Sequence, residues 1–467
     1  MNSGKVCLLV LLTAGLACGQ ESAGPEPRVL VLHPRREPVP ALKYPLLPDV
    51  TDLHPGNAAL YYHRAMLIRA ELHSSQAEQQ KLVNWLETPV NELPREEMHT
   101  ALRRYRNLLH EVDLGARSAD MDWGLLFRPE GVDLLLPEVQ AMRSLITIVA
   151  LQARLEIAEG RFADAVHALQ TGFAMSRHVG QAARTLVETL VADALANVME
   201  QQVEAFIQVE GAPNLYWSLT QVPRPFVPLR PGLEGDKLWF WNTFPQLRRL
   251  EHETLSVAEV NRIADASLRG FAALEDRSEN AAGVRLEILA LTIKAYPRAK
   301  EWLRSQGKTP AQIQAMPALQ AVLRYSLFQY HRLQDDLYKW AYLPYWQAEP
   351  GLEKVQRELK QAKATLSEGI PFATLLLPAI QRVVAAPARF QQRIAVLRIV
   401  EAIRMYAAAH DGQFPAAFDD IHSEPLPLDP LTNKPFRYER KGERALLTAS
   451  VPPIGPQLVR YELRMAR

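Results

Sequence analysis

The side chains that come closest to forming a metal site lie near the C-terminus. His410 is followed by four aspartates, Asp411, Asp419, Asp420 and Asp429. Carboxylates and turn carbonyls suit Ca²⁺, which accepts flexible cages of oxygen ligands. The spacing is not that of an EF-hand, so the alternative is that Asp411 ends a helix, Asp419 and Asp420 are solvated, and Asp429 caps a turn. The sequence therefore predicts no metal site. If calcium does bind, these four aspartates are the candidate ligands.

Two clusters place carboxylates beside a histidine, as general acid–base catalysis requires. They are Asp335 and Asp336 after His331, and Glu251 and Glu253 around His252. On a helix, His331 and Asp335 are four residues apart, which is also the spacing of an ordinary surface ion pair. Because nothing in the sequence places either cluster in a pocket, we predict no catalytic residue.

Sequence motifs for other common chemistries are absent. There is no His-Glu-x-x-His, and none of the twelve histidines lies four residues from another. Nucleophile elbows of the Gly-x-Ser-x-Gly type and glycine-rich phosphate loops are also missing. Both cysteines, Cys7 and Cys18, lie in the N-terminal segment, so the body has no thiol for a disulfide or a metal site. We expect no cofactor.

The N-terminal segment has the pattern of a signal peptide. Lys5 precedes an apolar run from Val6 to Ala17, which is short for a membrane-spanning helix. Cleavage after Gly19 would release a freely exported protein. Cleavage before Cys18 is the alternative, because "GLAC" resembles a bacterial lipoprotein box in which Cys18 carries the lipid anchor. Either way we expect an exported protein, in the periplasm, outside the cell or anchored in the envelope, with membrane contact only through such a lipid.

The strongest structural pattern runs from residue 142 to 206. Apolar residues recur at three- and four-residue spacing in three successive runs, which predicts three helices. Gly160 and Gly180 are placed where the first two helices should end. The last run predicts a buried face of Leu186, Leu190, Ala194, Val198 and Phe206. Helices joined by such short turns pack antiparallel.

The remaining sequence completes a mainly α-helical body with a small α+β C-terminal segment. We predict a signal peptide over 1–19, a Pro-rich linker over 20–48, the helical body over 49–385 and the α+β segment over 386–467. Asn57 and Thr309 are expected to cap helices, the latter with Pro310 at the first helical position. The C-terminal segment shows a helix over 390–409 and short alternating runs, which predict antiparallel strands with a turn at Lys441-Gly442.

Part of the helical pattern resembles a tetratricopeptide hairpin. In "AEGRFADAVHALQTGFAMSRHVG", Gly160, Phe162, Ala165 and Leu169 stand near the small and aromatic positions of that repeat. The match covers about one repeat, and a second copy at the ~34-residue period is not found. A generic helical hairpin is therefore the alternative.

Several phrases, among them "HPGNAALYYHRA", "AKEWLRSQGKTPAQIQAMPALQ" and "DDLYKWAYLPYW", resemble an uncharacterised family of exported proteins from planctomycete-type bacteria. That resemblance implies a secreted, helix-rich protein without an assigned activity. The C-terminal phrase "EAIRMYAAAHDGQFP", with the "PLDPLTNKPFRYE" that follows it, also resembles the end of type II secretion pseudopilins. In those proteins, however, the long helix is N-terminal and strongly apolar.

Composition narrows the classes of function. The 53 basic and 52 acidic residues are interspersed and give a net charge of +1, which leaves no basic stripe for nucleic acid. We therefore expect an envelope binding or scaffold protein that receives a protein or peptide ligand between helical hairpins. The alternatives are a hydrolase whose acid and base meet only in the fold, and a component of a secretion or pilus-like assembly. A cleft where ionisable groups converge would favour the hydrolase over an unreactive scaffold.

Overall fold

The computed structural model describes residues 27–124, 137–275, 281–365, 380–449 and 459–466. Helices account for 65% of the chain and a small four-stranded sheet includes its C-terminal strands, so the predicted mainly α-helical fold is confirmed. Within the described ranges, no helix is both long and apolar enough to cross a membrane.

Spatial proximity divides the chain into two compact units. The described residues between 233 and 381 form one unit, which we call the inserted unit. The described residues up to Gly232 and from Arg382 onward form the main unit. Amphipathic patterns show which face of a helix is buried but not which helices share a core.

The N-terminal part of the main unit alternates short strands with four helices. In chain order these are β1 (Arg28–Leu32), β2 (His54–Asn57), α1 (Ala58–Glu71), α2 (Gln76–Glu87), α3 (Arg95–Arg104), α4 (Arg106–Ala116) and β3 (Ser118–Asp120). Asn57 caps α1 as predicted, because its Oδ1 accepts the N–H of Ala59. Tyr105, with ψ near 6°, separates α3 from α4. Strands β2 and β3 pair in parallel.

Three long helices follow and match the predicted pattern closely. They are α5 (Pro137–Ala158), α6 (Phe162–Gln181) and α7 (Leu186–Phe206), and each packs against the other two. Gly160 follows α5 with φ +71°, the left-handed conformation that glycine adopts without strain. α6 ends at Gln181, one residue after Gly180 and so close to the predicted end. Gly180 itself is helical, and a Cβ there would come within 2.8 Å of Val227 Cγ1. Its role is close packing.

The predicted face of α7 is only partly correct. Leu186 and Phe206 are buried, but Leu190, Ala194 and Val198 are half-buried. Several polar residues of α7 are buried instead: Glu188, Thr189, Asp193, Glu200, Gln202 and Glu204. The helix is covered on more than one side, so a single apolar stripe does not describe its environment.

The C-terminal part of the main unit joins a long helix to a sheet. Short α8 (Tyr216–Thr220) and the start of α9 (Arg230–Thr243) come before the inserted unit, and α16 (Ile380–Ala409) comes after it from Arg382 onward. Strands β4 (Arg437–Lys441), β5 (Arg444–Thr448) and β6 (Arg460–Met465) are antiparallel, with Gly442 at φ +63° in the predicted turn. β1 pairs in parallel with β6, so the segment predicted as a linker contributes an edge strand.

The described residues of the inserted unit form helices and their connections, without a strand. After α9 it contains α10 (Leu247–His252), α11 (Val257–Glu275), α12 (Ala281–Ser305), α13 (Pro310–Gln314), α14 (Ala318–Tyr338) and α15 (Tyr345–Thr365). Thr309 and Gln312 form a capping box at the start of α13, as the sequence predicts for Thr309. One core joins α12, α13 and α14 through Ala295, Leu303, Ile313 and Val322.

Candidate functional site

The main unit has a cleft of about 440 Å³ between α3, α4, α5 and α6, which we call the groove. Its apolar lining comes from all four helices: Leu102, Leu109, Val149, Leu155 and Ala168. Its polar lining is formed by His99, Arg103, Arg106, Asp113, Gln152, Glu156, Asp164, His167 and Thr171. The groove is large enough for several side chains of a ligand.

Asp113 is the centre of a polar network on one side of the groove. Its Oδ1 accepts hydrogen bonds from Thr171 Oγ1 at 2.7 Å and from His167 Nε2 at 2.9 Å. Arg117 pairs with the same carboxylate and also donates from Nη2 to His167 Nδ1 at 2.9 Å. Burial alone would raise the pKa of Asp113, but the bonds from His167 and Thr171 and the charge of Arg117 lower it.

This network leaves His167 without a free ring nitrogen. Nε2 bonds to Asp113 and Nδ1 accepts from Arg117, which corresponds to the neutral tautomer with its proton on Nε2. A general base needs an accessible lone pair within reach of the proton it removes. The arrangement therefore makes His167 a positioning residue of the groove wall.

A second histidine has a different arrangement. His99 Nε2 lies 2.6 Å from Glu159 Oε1, and no hydrogen bond to Nδ1 occurs within the described ranges. Arg161 pairs with Glu159 and with Glu156, so the two carboxylates share one guanidinium. Burial acts to raise the pKa of Glu159, but the bonds from His99 and Arg161 outweigh it and lower that pKa.

Two arginines of the groove have no acidic partner among the residues that the structure describes. Arg103 and Arg106 lie on either side of the helix break at Tyr105 and are both exposed. Arg103 Nη2 donates to Thr100 Oγ1 at 3.1 Å, but neither guanidinium lies within 4.0 Å of a carboxylate in the described residues. By contrast, Asp164 on the opposite rim lies 4.0 Å from Arg161.

The groove contradicts the expectation that an unreactive helical scaffold shows no cleft with convergent ionisable groups. Two histidines and three carboxylates line it. Sequence reasoning missed them because they come from four helices and span residues 99–171, with no fixed spacing. The one local signal was "EGRFADAV", which contains Arg161 and Asp164.

Outside the groove, buried carboxylates follow one side of α7. Glu200 pairs with Arg393 of α16 at 3.2 Å, and Glu204 pairs with Arg28 of β1 at 2.7 Å. Tyr461 of β6 donates to Glu204 Oε2 at 2.8 Å. Neither oxygen of Asp193 has a hydrogen-bond partner among the described residues. Burial raises the pKa of Asp193 to about 8 and that of Glu200 to about 7, although Arg393 opposes both shifts.

A larger surface pocket of about 640 Å³ is lined by the segment 34–39 and the end of α16. Its arginines, Arg35 and Arg36, are exposed. Its one buried amide, Asn214, already donates to Glu401. The polar groups of this pocket therefore do not form a preorganised binding site.

The four calcium candidates do not assemble. Asp429 is fully buried and accepts from Gln392 Nε2 and the N–H of Leu431, as a turn cap does. The N–H groups of Ala417 and Ala416 donate to Asp420, and the bond from Ala417 is the main cause of its lowered pKa. Asp411 and Asp419 are exposed. Within the described residues, no group of three His, Cys, Asp or Glu side chains could hold a metal ion.

In the inserted unit, burial lowers the pKa of His331, while the charges of Glu251 and Asp335 act to raise it, so these members of the two predicted clusters lie near one another. His331 stacks on Trp241 with the ring centroids 5.1 Å apart. Asp335 pairs with Lys237 at 2.8 Å, not with His331 as the helical spacing had suggested. Glu253 pairs with Arg249. The proposed lipidation residue, Cys18, lies outside the described residues.

Comparisons with protein-family models, curated proteins and solved structures found no match to this chain. The assignment of a function therefore depends on the geometry of the main unit.

Proposed function

We propose that this protein is an exported binding protein of the cell envelope, whose groove receives a segment of another polypeptide. The single observation that supports this function is the groove itself. Four helices surround an apolar lining, and its histidines and carboxylates are held by neighbouring side chains. Apolar clefts with a few fixed polar groups are the common form of a ligand site. The signal-like segment up to Ala17 supports export.

The paired groups favour binding over catalysis. Asp113 already accepts from a histidine and a threonine, and pairs with an arginine. Such a network fixes side-chain rotamers and so presents a rigid wall to a ligand. Rigid walls lower the entropic cost of binding, because less of the protein must become ordered.

Selection of random displayed peptides on the full chain, followed by fluorescence anisotropy, tests this function. Gln152→Trp introduces a large ring into the groove, and Gln80→Trp introduces the same ring on the exposed surface of α2. We expect the selected peptides to bind Gln152→Trp at least about tenfold more weakly than wild type, a loss of about 1.4 kcal/mol, and to bind Gln80→Trp unchanged. Equal binding to all three proteins would refute the groove as the site, and so would failure to select any peptide.

A hydrolase remains the second candidate because of His99. Its Nε2 bonds to Glu159, which leaves Nδ1 as the possible acceptor of a proton from water. If the protein is a hydrolase, wild type should turn over ester or amide substrates, and His99→Gln and Glu159→Gln should each abolish this turnover. If wild type and both variants show the same background rate, this candidate is eliminated.

A further inference from the structure

The charges of the groove specify which kind of polypeptide it would take. Resting on the proposed function, we infer that the groove selects segments in which carboxylates alternate with apolar residues. The carboxylates of the ligand would bind Arg103 and Arg106, and its apolar side chains would enter the lining formed by Leu102, Leu109 and Val149.

The argument begins with the charge balance around the groove. Four carboxylates lie in or beside it, and each is within 4.0 Å of an arginine or a histidine. They are Asp113 with Arg117, Glu156 and Asp164 with Arg161, and Glu159 with Arg161 and His99. Asp113 has an arginine of its own, whereas Glu156, Glu159 and Asp164 share Arg161, so the acids of the groove are only partly compensated and their excess negative charge lies around Arg161.

The cations are not balanced in the same way. Arg103 and Arg106 both line the groove, both are exposed, and neither is within 4.0 Å of a carboxylate in the part of the chain that the structure describes. Guanidinium groups bind carboxylates with paired N–H donors, and such bonds are stronger than those between neutral groups. The unpaired charge of the α3–α4 wall is therefore positive, and this wall is where the carboxylates of a ligand would bind.

The apolar lining distinguishes a peptide from other anions. Val149 and Leu155 are almost fully buried at the base of the groove, and Leu102 and Ala168 are nearly so. A nucleic acid would need a longer series of cations along its phosphates than these two arginines provide. Alternating acidic and apolar side chains match both features at once.

Rhodamine-labelled peptides of equal length, with leucine alternating with glutamate, glutamine or lysine, provide the test. Their binding to the full chain is measured by anisotropy at about 50 and about 300 mM salt, because exposed charges are screened at the higher concentration. We expect the glutamate peptide to bind at least about tenfold more tightly than the glutamine peptide at low salt, and this ratio to decrease at high salt. The lysine peptide should bind most weakly.

Charge reversal provides the matched comparison. The double variant Arg103→Glu/Arg106→Glu should lose the preference for the glutamate peptide over the glutamine peptide. Arg95→Glu with Arg437→Glu changes the net charge equally at exposed positions outside the groove and should retain it. Equal binding of the three peptides, loss of the preference in both double variants, or displacement of the glutamate peptide by a short oligonucleotide would each overturn the inference.

The outcomes also separate this inference from the proposed function. If the selected peptides bind the groove but show no preference for acids, the charge inference fails and the binding function stands. If neither the selected nor the synthetic peptides bind, the proposed function fails as well.

Discussion

Arg404 and Glu401 form an ion pair that is completely buried within one turn of α16. The Nη1 of Arg404 lies 2.9 Å from Glu401 Oε2, and both side chains are 0% exposed. Arg404 also donates to the carbonyls of His33 and Ala212, while Asn214 donates to Glu401. The pair thus fixes α16 to the segment after β1 and to the chain before α8.

Removal of one partner should destabilise the main unit strongly. We expect Glu401→Gln to lower the free energy of unfolding by about 3–5 kcal/mol, because it leaves a buried guanidinium without its counter-charge. Urea unfolding followed by circular dichroism measures the change. The exposed pair of Lys441 with Glu439, 3.3 Å apart, is the control, and Glu439→Gln should cost less than about 1 kcal/mol. Similar small losses for both variants would contradict the account of the buried pair.

The buried carboxylates of α7 predict a loss of stability at high pH. The pKa of Asp193 is raised to about 8 and that of Glu200 to about 7, so the folded state binds more protons than the unfolded state, in which both pKa values are near 4. Stability therefore falls as the pH rises above about 4, until the pH exceeds the raised values. Between about pH 6.5 and 9 we expect a loss of about 3 kcal/mol, of which Asp193 contributes about 2 kcal/mol.

The range from about pH 6.5 to 9 avoids the titration of His178, whose effect on stability has the opposite sign. Burial lowers the pKa of His178 to about 4, so its effect on stability is confined mostly to pH below about 6.5. Asp193→Asn should flatten the dependence of the unfolding free energy on pH, and Asp419→Asn, at an exposed position, should not. An unchanged slope in Asp193→Asn would show that this carboxyl does not titrate as the structure implies.

Gly180 is predicted to be required for the close approach of α6 to the chain near Val227. Gly180→Ala should cost about 1–3 kcal/mol, because its Cβ would come within 2.8 Å of Val227 Cγ1. Val227→Ala removes that methyl group, so the double variant should be more stable than the sum of the two single losses predicts. Thermal unfolding of the three variants measures the coupling. Strictly additive losses would mean that the two residues do not compete for this space.

Calcium should have no effect on the stability of the C-terminal segment. The oxygens of Asp429 already accept bonds from Gln392 and Leu431, and Asp420 accepts from backbone N–H groups. We therefore expect the same melting temperature in millimolar Ca²⁺ and in chelator. A rise of several degrees with Ca²⁺ that disappears in Asp429→Asn would establish the site that the geometry argues against.

The elements that local pattern determines were predictable from the sequence. The apolar period gave α6 and the end of α5 nearly to the residue, although α5 begins five residues before the first predicted position, Met142. Side-chain capping at Asn57 and Thr309 is likewise a local property. The parallel pairing of β1 with β6 joins residues more than 400 positions apart, and no local pattern encodes such a pairing. The buried acids of α7 were missed for a related reason: a carboxylate in a helix indicates an exposed face unless its distant partner, such as Arg393, is known.

The groove shows the same limit. His99, Asp113 and His167 lie on three helices, and each looks like an ordinary surface residue in its own segment. Only the packing of α3 and α4 against α5 and α6 brings them to one cleft. Sequence reasoning could predict a groove between helical hairpins but not the residues that line it.

Site-specific photocrosslinking tests the central claim most directly. Benzoylphenylalanine at position 152 lies in the groove, and the same residue at position 80 lies on the exposed surface of α2. With a selected peptide present, irradiation should give a crosslink at position 152 that excess unlabelled peptide abolishes, and none at position 80. Crosslinking at position 80 alone, or at neither position while the peptide remains bound, would show that the groove is not the binding site.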